Sequence, residues 1–441
     1  MNTFEAKAVE HFQAILRKKT VSNSDDPVYK KEFKAFLPLL KKLYPAVFSA
    51  VECQLINEFG ILIHWKGKDS SLNPVVLMAH HDVVSDEGQQ WLHPAFDAEI
   101  HDGYIWARGS VDNKEIFTAI LEAMELLIKD GFVPSRDVYF ASSNCEEVAG
   151  DTMKHIVKWF RQNNITPEFV LDEGGAIMLD LPLGIKTPCA MIGVSEKGWG
   201  TFTLTATGKS GHYARISNKD NATVKIAKAV EKISKNPMPA VLNSAVEGML
   251  ENLAPFVEGP VGAALKNVKL LKPAVKKVME SIPDTAAMIS SKFTVTEIKA
   301  ESEKPGTVPA TATATLKMRV APHDNINNIT EHINKTVGDL ATVTVENFVA
   351  APAISSHKTD SFAYIEKTIK KVFPDVGVAP FILDAMTDSR DFAPICKEVY
   401  RFGAFRINNE QFDSVHNANE RMEINVFLKS IEFYKEFILG I

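Results

Sequence analysis

Pro74-Val75-Val76-Leu77-Met78-Ala79-His80-His81-Asp82 is an apolar run that breaks off in two histidines and an aspartate. Behind Asn73-Pro74, such a run predicts a strand over 75–79 that is buried on both faces. Its polar residues fall just past the carboxyl end, where open α/β sheets place their ligands. His80 and Asp82 are two apart, so on an extended chain they face the same side. The carboxylate can then accept the second ring N–H of a metal-bound imidazole, or reach a metal itself. His81 faces the other way and is expected to pack or hydrogen-bond nearby rather than ligate.

Residues 1–194 alternate strand-like and helix-like segments, the pattern of an α/β fold. A predicted helix over 112–130 carries Ile116, Phe117, Ile120, Leu121, Met124, Leu127 and Ile128 on one face and closes at Gly131. Strands are predicted over 138–142 and 169–171, and a helix over 152–161. Past Val194 the character changes. In 199–207, Phe202, Leu204 and Ala206 alternate with Thr201, Thr203 and Thr205, which predicts an antiparallel strand with one wet face. Residues 311–320 alternate likewise, and 221–234 reads as a helix. Between them, over about 236–304, lies a stretch rich in Ala, Leu, Val and Lys, read as a helical insertion in a smaller α+β domain. The α/β style returns with helices over 361–372 and 426–439. The expected organisation is a catalytic domain in two parts, 1–194 and 353–441, interrupted by a second domain, 195–352.

A chain of 441 residues exceeds one ordinary core. With 45% hydrophobic and 24% charged residues it has the composition of a soluble globular protein. The net charge of −6 argues against a nucleic-acid partner. Lysines between Lys266 and Lys277 alternate with Val268, Leu270, Leu271 and Val275, as on a solvated helix face. The four cysteines are scattered without a CxxC pair, which points to a reducing compartment. Residues 2–20 read as an amphipathic helix and lack the apolar core of a signal peptide. No run approaches ~20 uncharged apolar residues, so no membrane span is expected and the cytoplasm is the default location.

Further acidic and histidine residues occupy comparable positions. Asp112 follows Gly109-Ser110-Val111 and opens a helix; Glu146-Glu147 follows the 138–142 strand; Asp172 ends the 169–171 strand; His416 lies in Ser414-Val-His-Asn-Ala-Asn-Glu420. Taken singly, Asp112 is an N-cap, the Glu pair a solvated surface and His416 a loop histidine. Together, carboxylates and imidazoles at strand ends suit zinc or another first-row divalent ion. Two metals close together need a bridging carboxylate, for which Asp112 is well placed. One glutamate of the pair can bind metal while its neighbour takes a proton.

At these residues the sequence resembles the aminoacylase/carboxypeptidase family of dinuclear zinc metallopeptidases, and within it the Gly-Xaa carboxypeptidase (carboxypeptidase S) and N-acyl-amino-acid hydrolase branch. The matching text is Leu77-Met-Ala-His-His-Asp-Val-Val84, Trp91-Leu-His-Pro-Ala-Phe96, Asp102-Gly-Tyr-Ile-Trp-Ala-Arg-Gly109 with Asp112-Asn-Lys114, Glu146-Glu147, Leu171-Asp-Glu-Gly174, Ser210-Gly-His-Tyr213, Thr387-Asp-Ser-Arg390, and His416 with Glu420. The resemblance implies a zinc-exopeptidase-like α/β domain with a mixed central sheet, plus an inserted dimerisation lid. It implies two divalent ions, zinc foremost with manganese or cobalt as alternatives, and a small peptide or N-acyl amino acid as substrate. His80 and Asp172 would bind one ion, Glu147 and His416 the other, and Asp112 both. Asp82 would orient His80, and Glu146 would be the general base. His212 would reach the neighbouring subunit's site and stabilise an oxyanion. Arg319 would meet the substrate carboxylate, and Thr387-Asp388-Ser389-Arg390 would shape the pocket, with Arg390 facing substrate. The chain departs from the pattern at Gly306, where the family commonly has Asn. That departure is the one feature in favour of the alternative, a catalytically silent dimeric metal- or ligand-binding protein.

Overall fold

The computed structural model describes residues 1–22, 26–182, 184–302 and 304–441. Its centre is a ten-stranded sheet. At its middle Val138–Ser142, Val75–Met78, Phe169–Asp172 and Val399–Arg401 lie side by side and all run parallel. Every residue of these strands is buried, as expected of parallel strands covered on both faces. Antiparallel strands Glu52–Ile56 and Gly60–Trp65 extend one edge, so the sheet is mixed. On the other side Cys189–Glu196 runs antiparallel to Val399–Arg401 and parallel to Gly377–Leu383.

One face of the sheet is covered by Lys114–Lys129 and Ile424–Leu439, whose Phe117, Ile120, Met124, Phe427 and Phe433 join the largest core. The amino-terminal helix Thr3–Leu16 packs into the same core through Phe12, Ile15 and Leu16. The other face is closed by Thr152–Gln162, through Met153, Ile156 and Phe160. No helix among the described residues is long and apolar enough to cross a membrane.

A separate four-stranded antiparallel sheet has the order Lys292–Lys299, Thr311–Val320, Gly198–Thr207, Thr342–Val349. Its inner face carries Phe202, Leu204, Ala314 and Leu316 against Ile226 and Ile333 of helices Ala222–Lys235 and Ile326–Val337. The alternation of 199–207 and 311–320 has this origin: one side meets helices and the other meets solvent.

The helical insertion differs from expectation in extent and in what it packs on. Its helices are Ser244–Leu253, Gly259–Lys266, Lys272–Ser281 and Pro283–Ile289, and 292–299 is a strand of the smaller sheet. Phe293 and Val295 alternate there, but a bulge between Val295 and Glu297 breaks the period-two pattern and hides it. The insertion interrupts the smaller α+β unit in sequence, yet its Val246, Met249 and Leu253 share a core with Cys189, Met191 and Ala379 of the large sheet.

Candidate metal centre

The four parallel strands end together, and the acidic and histidine residues collect at that edge. The chain beyond Met78 stays paired with the neighbouring strand, since the His81 N–H donates to the Ser143 carbonyl at 3.0 Å. This holds His80 beside the Glu146–Val148 turn. His80 Nε2 lies 3.0 Å from Asp112 Oδ1, and His416 Nε2 lies 3.1 Å from Asp112 Oδ2 and 2.9 Å from Glu147 Oε2. The two oxygens of Asp112 thus face two different imidazoles. Asp112 is not the N-cap of the following helix; that position is Asn113, joined to it by a cis peptide bond.

Asp82 is fully buried and holds both sides of the cluster. Its Oδ1 lies 3.3 Å from His80 Nδ1, and its two oxygens accept the backbone N–H groups of Glu146 and Glu147, each at 3.2 Å. His81 stacks on Phe36 with ring centres 4.9 Å apart and bonds Ser142 Oγ at 2.8 Å, away from the cluster.

Three groups of candidate ligand atoms, each with its atoms within 4.8 Å of one another, occur among the described residues; one is His93, Glu99 and His101, and the other two share a member: His80, Asp112 and Glu173, and Asp112, Glu147 and His416. Here Glu173 stands where Asp172 was expected. Asp172 is the last residue of its strand, paired with Arg401, and its Oδ2 accepts the Ser389 N–H at 3.0 Å. The turn onto Glu173 uses Gly174 at φ +104°, where a Cβ would also meet the Leu383 side chain at 2.7 Å.

Glu420 went unassigned in the sequence reading, yet it fixes the site's outer loops. Fully buried, it takes Arg108 Nη1 at 2.6 Å and the N–H groups of Gly109, Val111 and Asp112 at 3.0, 2.7 and 3.0 Å. It therefore ties the segment of His416 to that of Asp112. The position of His416 in a Ser-Val-His-Asn-Ala-Asn-Glu loop was visible, but no periodicity marks the far partner of a loop carboxylate.

Hydrogen bonds to Asp112 and Glu147 raise the His416 pKa to about 10. In His80 burial opposes the charge, but hydrogen bonds to Asp112 and Asp82 outweigh it and the pKa rises well above the usual value. For Asp112 burial is likewise overcome by the two imidazoles, and its carboxyl is held well below the ordinary range. Glu146, Glu173 and Asp388 go the opposite way. Burial, helped by Asp388, Glu173 and Glu147 and opposed by His80, pushes Glu146 far up. Burial and the charges of Asp112 and Asp172 do the same to Glu173, and burial brings Asp388 to about 8. This excess of buried negative charge is what a bound divalent cation would relieve. Glu147 Oε1 is also buried without a hydrogen-bond partner, so it too fits a metal.

The remaining expected residues lie elsewhere. His212 is exposed on Gly211–His212, stacked on Tyr213, and no contact joins it to the cluster within the described residues. Gly306 is adjacent to it in space, its carbonyl accepting the Tyr213 N–H at 3.2 Å. Arg319 lies on the exposed face of Thr311–Val320, opposite Trp199. Arg390 was expected to face substrate, but its guanidinium is engaged by Glu196 Oε1 at 3.2 Å and the Ala350 carbonyl at 2.7 Å. Glu196 also holds Arg401 and Thr387, so Arg390 belongs to a buried brace behind Asp172. Asp388 accepts a hydrogen bond from Ser143 Oγ.

Residues 76–440 match the peptidase family M20/M25/M40. The chain belongs to the M20 peptidase family. It is therefore a hydrolase of the metal-dependent exopeptidase and amidohydrolase class. Among curated relatives of this M20 peptidase, a probable carboxypeptidase S-like 2 of Dictyostelium discoideum is 33% identical over 416 residues, covering 93% of this chain and 80% of that protein. The N-fatty-acyl-amino acid synthase/hydrolase PM20D1 of Xenopus tropicalis is 29% identical over 436 residues, covering 98% and 85%. The M20 family metallo-carboxypeptidase Sso-CP2 of Sulfolobus solfataricus has the same fold, with a TM-score of 0.66 at 15% identity over 99% of both chains.

Proposed function

We propose that this M20 peptidase hydrolyses the amide of N-acyl amino acids or the C-terminal peptide bond of small peptides, with Glu146 as general base and acid. The observation that carries this reading is the pair of donor groups sharing Asp112, with Glu146 beside them and free of any side-chain hydrogen bond among the described residues. His80, Asp112 and Glu173 would hold one ion, and Asp112, Glu147 and His416 the other. Zinc suits these donors best, with manganese or cobalt compatible. Such ions supply Lewis acidity and a water that ionises near neutral pH.

Asp82 keeps the His80 ring oriented by accepting from its Nδ1–H, and keeps the Glu146 backbone in place. Glu146 takes a proton from the attacking water and gives it to the leaving nitrogen. The water's hydroxyl ends on the acyl carbon, and the products are a carboxylic acid and a free amine. The smaller sheet acts as a lid and as the surface of a homodimer, through which the exposed His212 reaches the partner's substrate and donates to the oxyanion. Arg319, without an ion-pair partner among the described residues, is the receptor for a substrate carboxylate. Four free cysteines support a reducing location, the cytoplasm.

Names of relatives favour both substrate classes, since one is a carboxypeptidase S-like protein and another acts on N-fatty-acyl amino acids. A screen of dipeptides and N-acyl amino acids with Zn2+, Mn2+ or Co2+ decides between them. Glu146→Gln should cost about 10²–10⁴ in kcat while metal stoichiometry stays the same; a fully active variant would sink the mechanism.

A further inference from the structure

A second set of metal donors stands apart from the catalytic cluster. Glu99–His101 and Tyr104–Trp106 form a hairpin, and Arg421–Glu423 pairs with its second strand. The hairpin turns through Asp102 and Gly103, at φ +50° and +82°, the left-handed backbone that a tight two-residue loop demands. Glu99 and His101 are two apart on one strand and so share a face. Trp106 is opposite Glu99 in register, which puts its ring on that face too. Ile105 and Met422, at the alternate positions, belong to the large core. The donors therefore stand on a short, pinned hairpin rather than on a free loop.

His93 arrives from the preceding segment and lies flat on His101, with ring centres 3.7 Å apart and planes 15° apart. An edge contact with Trp106 at 5.0 Å holds it there. His93 Nδ1 is 3.1 Å and His101 Nε2 2.8 Å from the same atom, Glu99 Oε2. These imidazoles are the ion-pairing partners of Glu99 among the described residues. Arg421, one strand further along the face, stacks on Trp106 at 4.8 Å and is spent on Glu410 at 2.7 Å and the Asn419 carbonyl at 3.2 Å. Two imidazoles and one carboxylate are a donor set for zinc and its first-row neighbours. With bonds of about 2.0–2.2 Å, two donors on one tetrahedral ion sit about 3.4 Å apart, so the observed separations of 3.1 and 2.8 Å need open by less than an ångström. The cluster is reached from water, with 24% of the His93 side chain, 42% of Glu99 and 44% of His101 exposed. An ion can enter and keep a water in its fourth position.

We propose that His93, Glu99 and His101 hold a third divalent cation of the zinc class, separate from the catalytic cluster. None of the three belongs to the two groups that share Asp112, so the proposal goes beyond the hydrolytic reading and does not rest on it. The ion acts as a clamp. Residues 89–93 grip the His416 loop, since Gln89 Nε2 donates to the His416 carbonyl at 2.8 Å and the Leu92 N–H to Asn419 Oδ1 at 2.8 Å. The end of the hairpin grips the same loop, where the Ala107 N–H donates to the Glu420 carbonyl at 3.1 Å. An ion joining His93 to Glu99 and His101 ties these two grips together.

The test counts the zinc bound to wild type, Glu99→Gln and His101→Asn after equilibration with rising free Zn2+. Each variant should hold one equivalent fewer than wild type, because losing a donor weakens a site at least as much as losing an outer partner does, about 10–100-fold. That difference is the same however many ions the catalytic cluster takes. Equal counts in all three proteins overturn the third site and leave the hydrolytic reading untouched. Loss of every equivalent in a variant with a native far-ultraviolet spectrum overturns it too, since the donors would then form no separate site. Saturating Zn2+ should shield both imidazoles of the wild type from diethylpyrocarbonate, read by peptide mass, and equal modification with and without zinc refutes ligation. Amide hydrogen exchange over residues 89–93 should slow when the third equivalent binds to wild type and stay unchanged in both variants. Unchanged exchange in the wild type refutes the clamp.

Discussion

Glu420→Gln tests the idea that one buried carboxylate sets the distance between the two outer metal donors. The native side chain is fully buried and receives four donors: Arg108 Nη1 and the N–H groups of Gly109, Val111 and Asp112. Gln is nearly isosteric but neutral, and its NH₂ end would point a donor at donors. Arg108 would keep Gln89 at 2.8 Å and the Trp91 face but lose the Glu420 carboxylate. Breaking a buried ion pair from one side costs about 3–5 kcal/mol, and a buried N–H facing another donor costs about 1–3 kcal/mol. Because Gln retains one acceptor, a loss near 3 kcal/mol is the reasoned figure, about a hundredfold in the folding equilibrium. Asp112 and His416 would drift relative to each other, and metal affinity should fall by about 10–100-fold. Urea unfolding of the metal-free protein reads the first effect, and competition with a zinc chelator the second. Native stability together with native metal affinity in Glu420→Gln would refute the anchoring role.

Three further outcomes are expected. Glu173→Gln should remove one metal equivalent measured by atomic absorption, whereas Asp172→Asn should keep both and lower stability by about 1–3 kcal/mol through its Ser389 bond. Asp82→Asn should weaken metal binding about 10–100-fold, as changes of outer hydrogen-bond partners do, with an unaltered far-ultraviolet spectrum. His81 is buried neutral with its pKa lowered to about 3 by burial. Its unfolded form takes up a proton below about 6.5, so its contribution is present above that pH and fades as pH falls toward 3. His81→Gln should therefore flatten the acid limb of the stability profile over pH 3–6.5, and an unchanged slope there would contradict the assignment.

Much of this was legible in the residues. The buried run ending at His80 and the strand before Glu146-Glu147 announce themselves, because a parallel strand covered on both faces has no polar interior positions. Asp112, Glu147 and His416 meet because their segments end at one sheet edge, which the alternation of strands and helices already implies. The choice between Asp172 and Glu173 was not legible. It depends on where a strand stops and on a left-handed Gly174, a matter of one residue. Arg390 was misjudged for a different reason. A guanidinium near a site looks the same in sequence whether it meets substrate or, as here, Glu196 and a carbonyl. Periodicity likewise showed that the 244–289 helices have apolar faces, but not that Met191 and Ala379 of the large sheet cover them.

That last packing choice has a mechanical consequence. The chain enters the smaller sheet at Gly198 and leaves it near Ala350, but it also crosses to the insertion near Val241 and returns past Ile289, where the Val241 N–H bonds the Ile289 carbonyl at 2.7 Å. A unit held at one narrow seam can swing like a door; this one is also laced along a second seam, with Lys197 fastened to Ala287 between them. Any rocking of the smaller sheet must bend around both seams, while the insertion travels as cargo of the large sheet. The insertion and the large sheet then keep a fixed spacing, because Val246, Met249 and Leu253 share one core with Cys189, Met191 and Ala379.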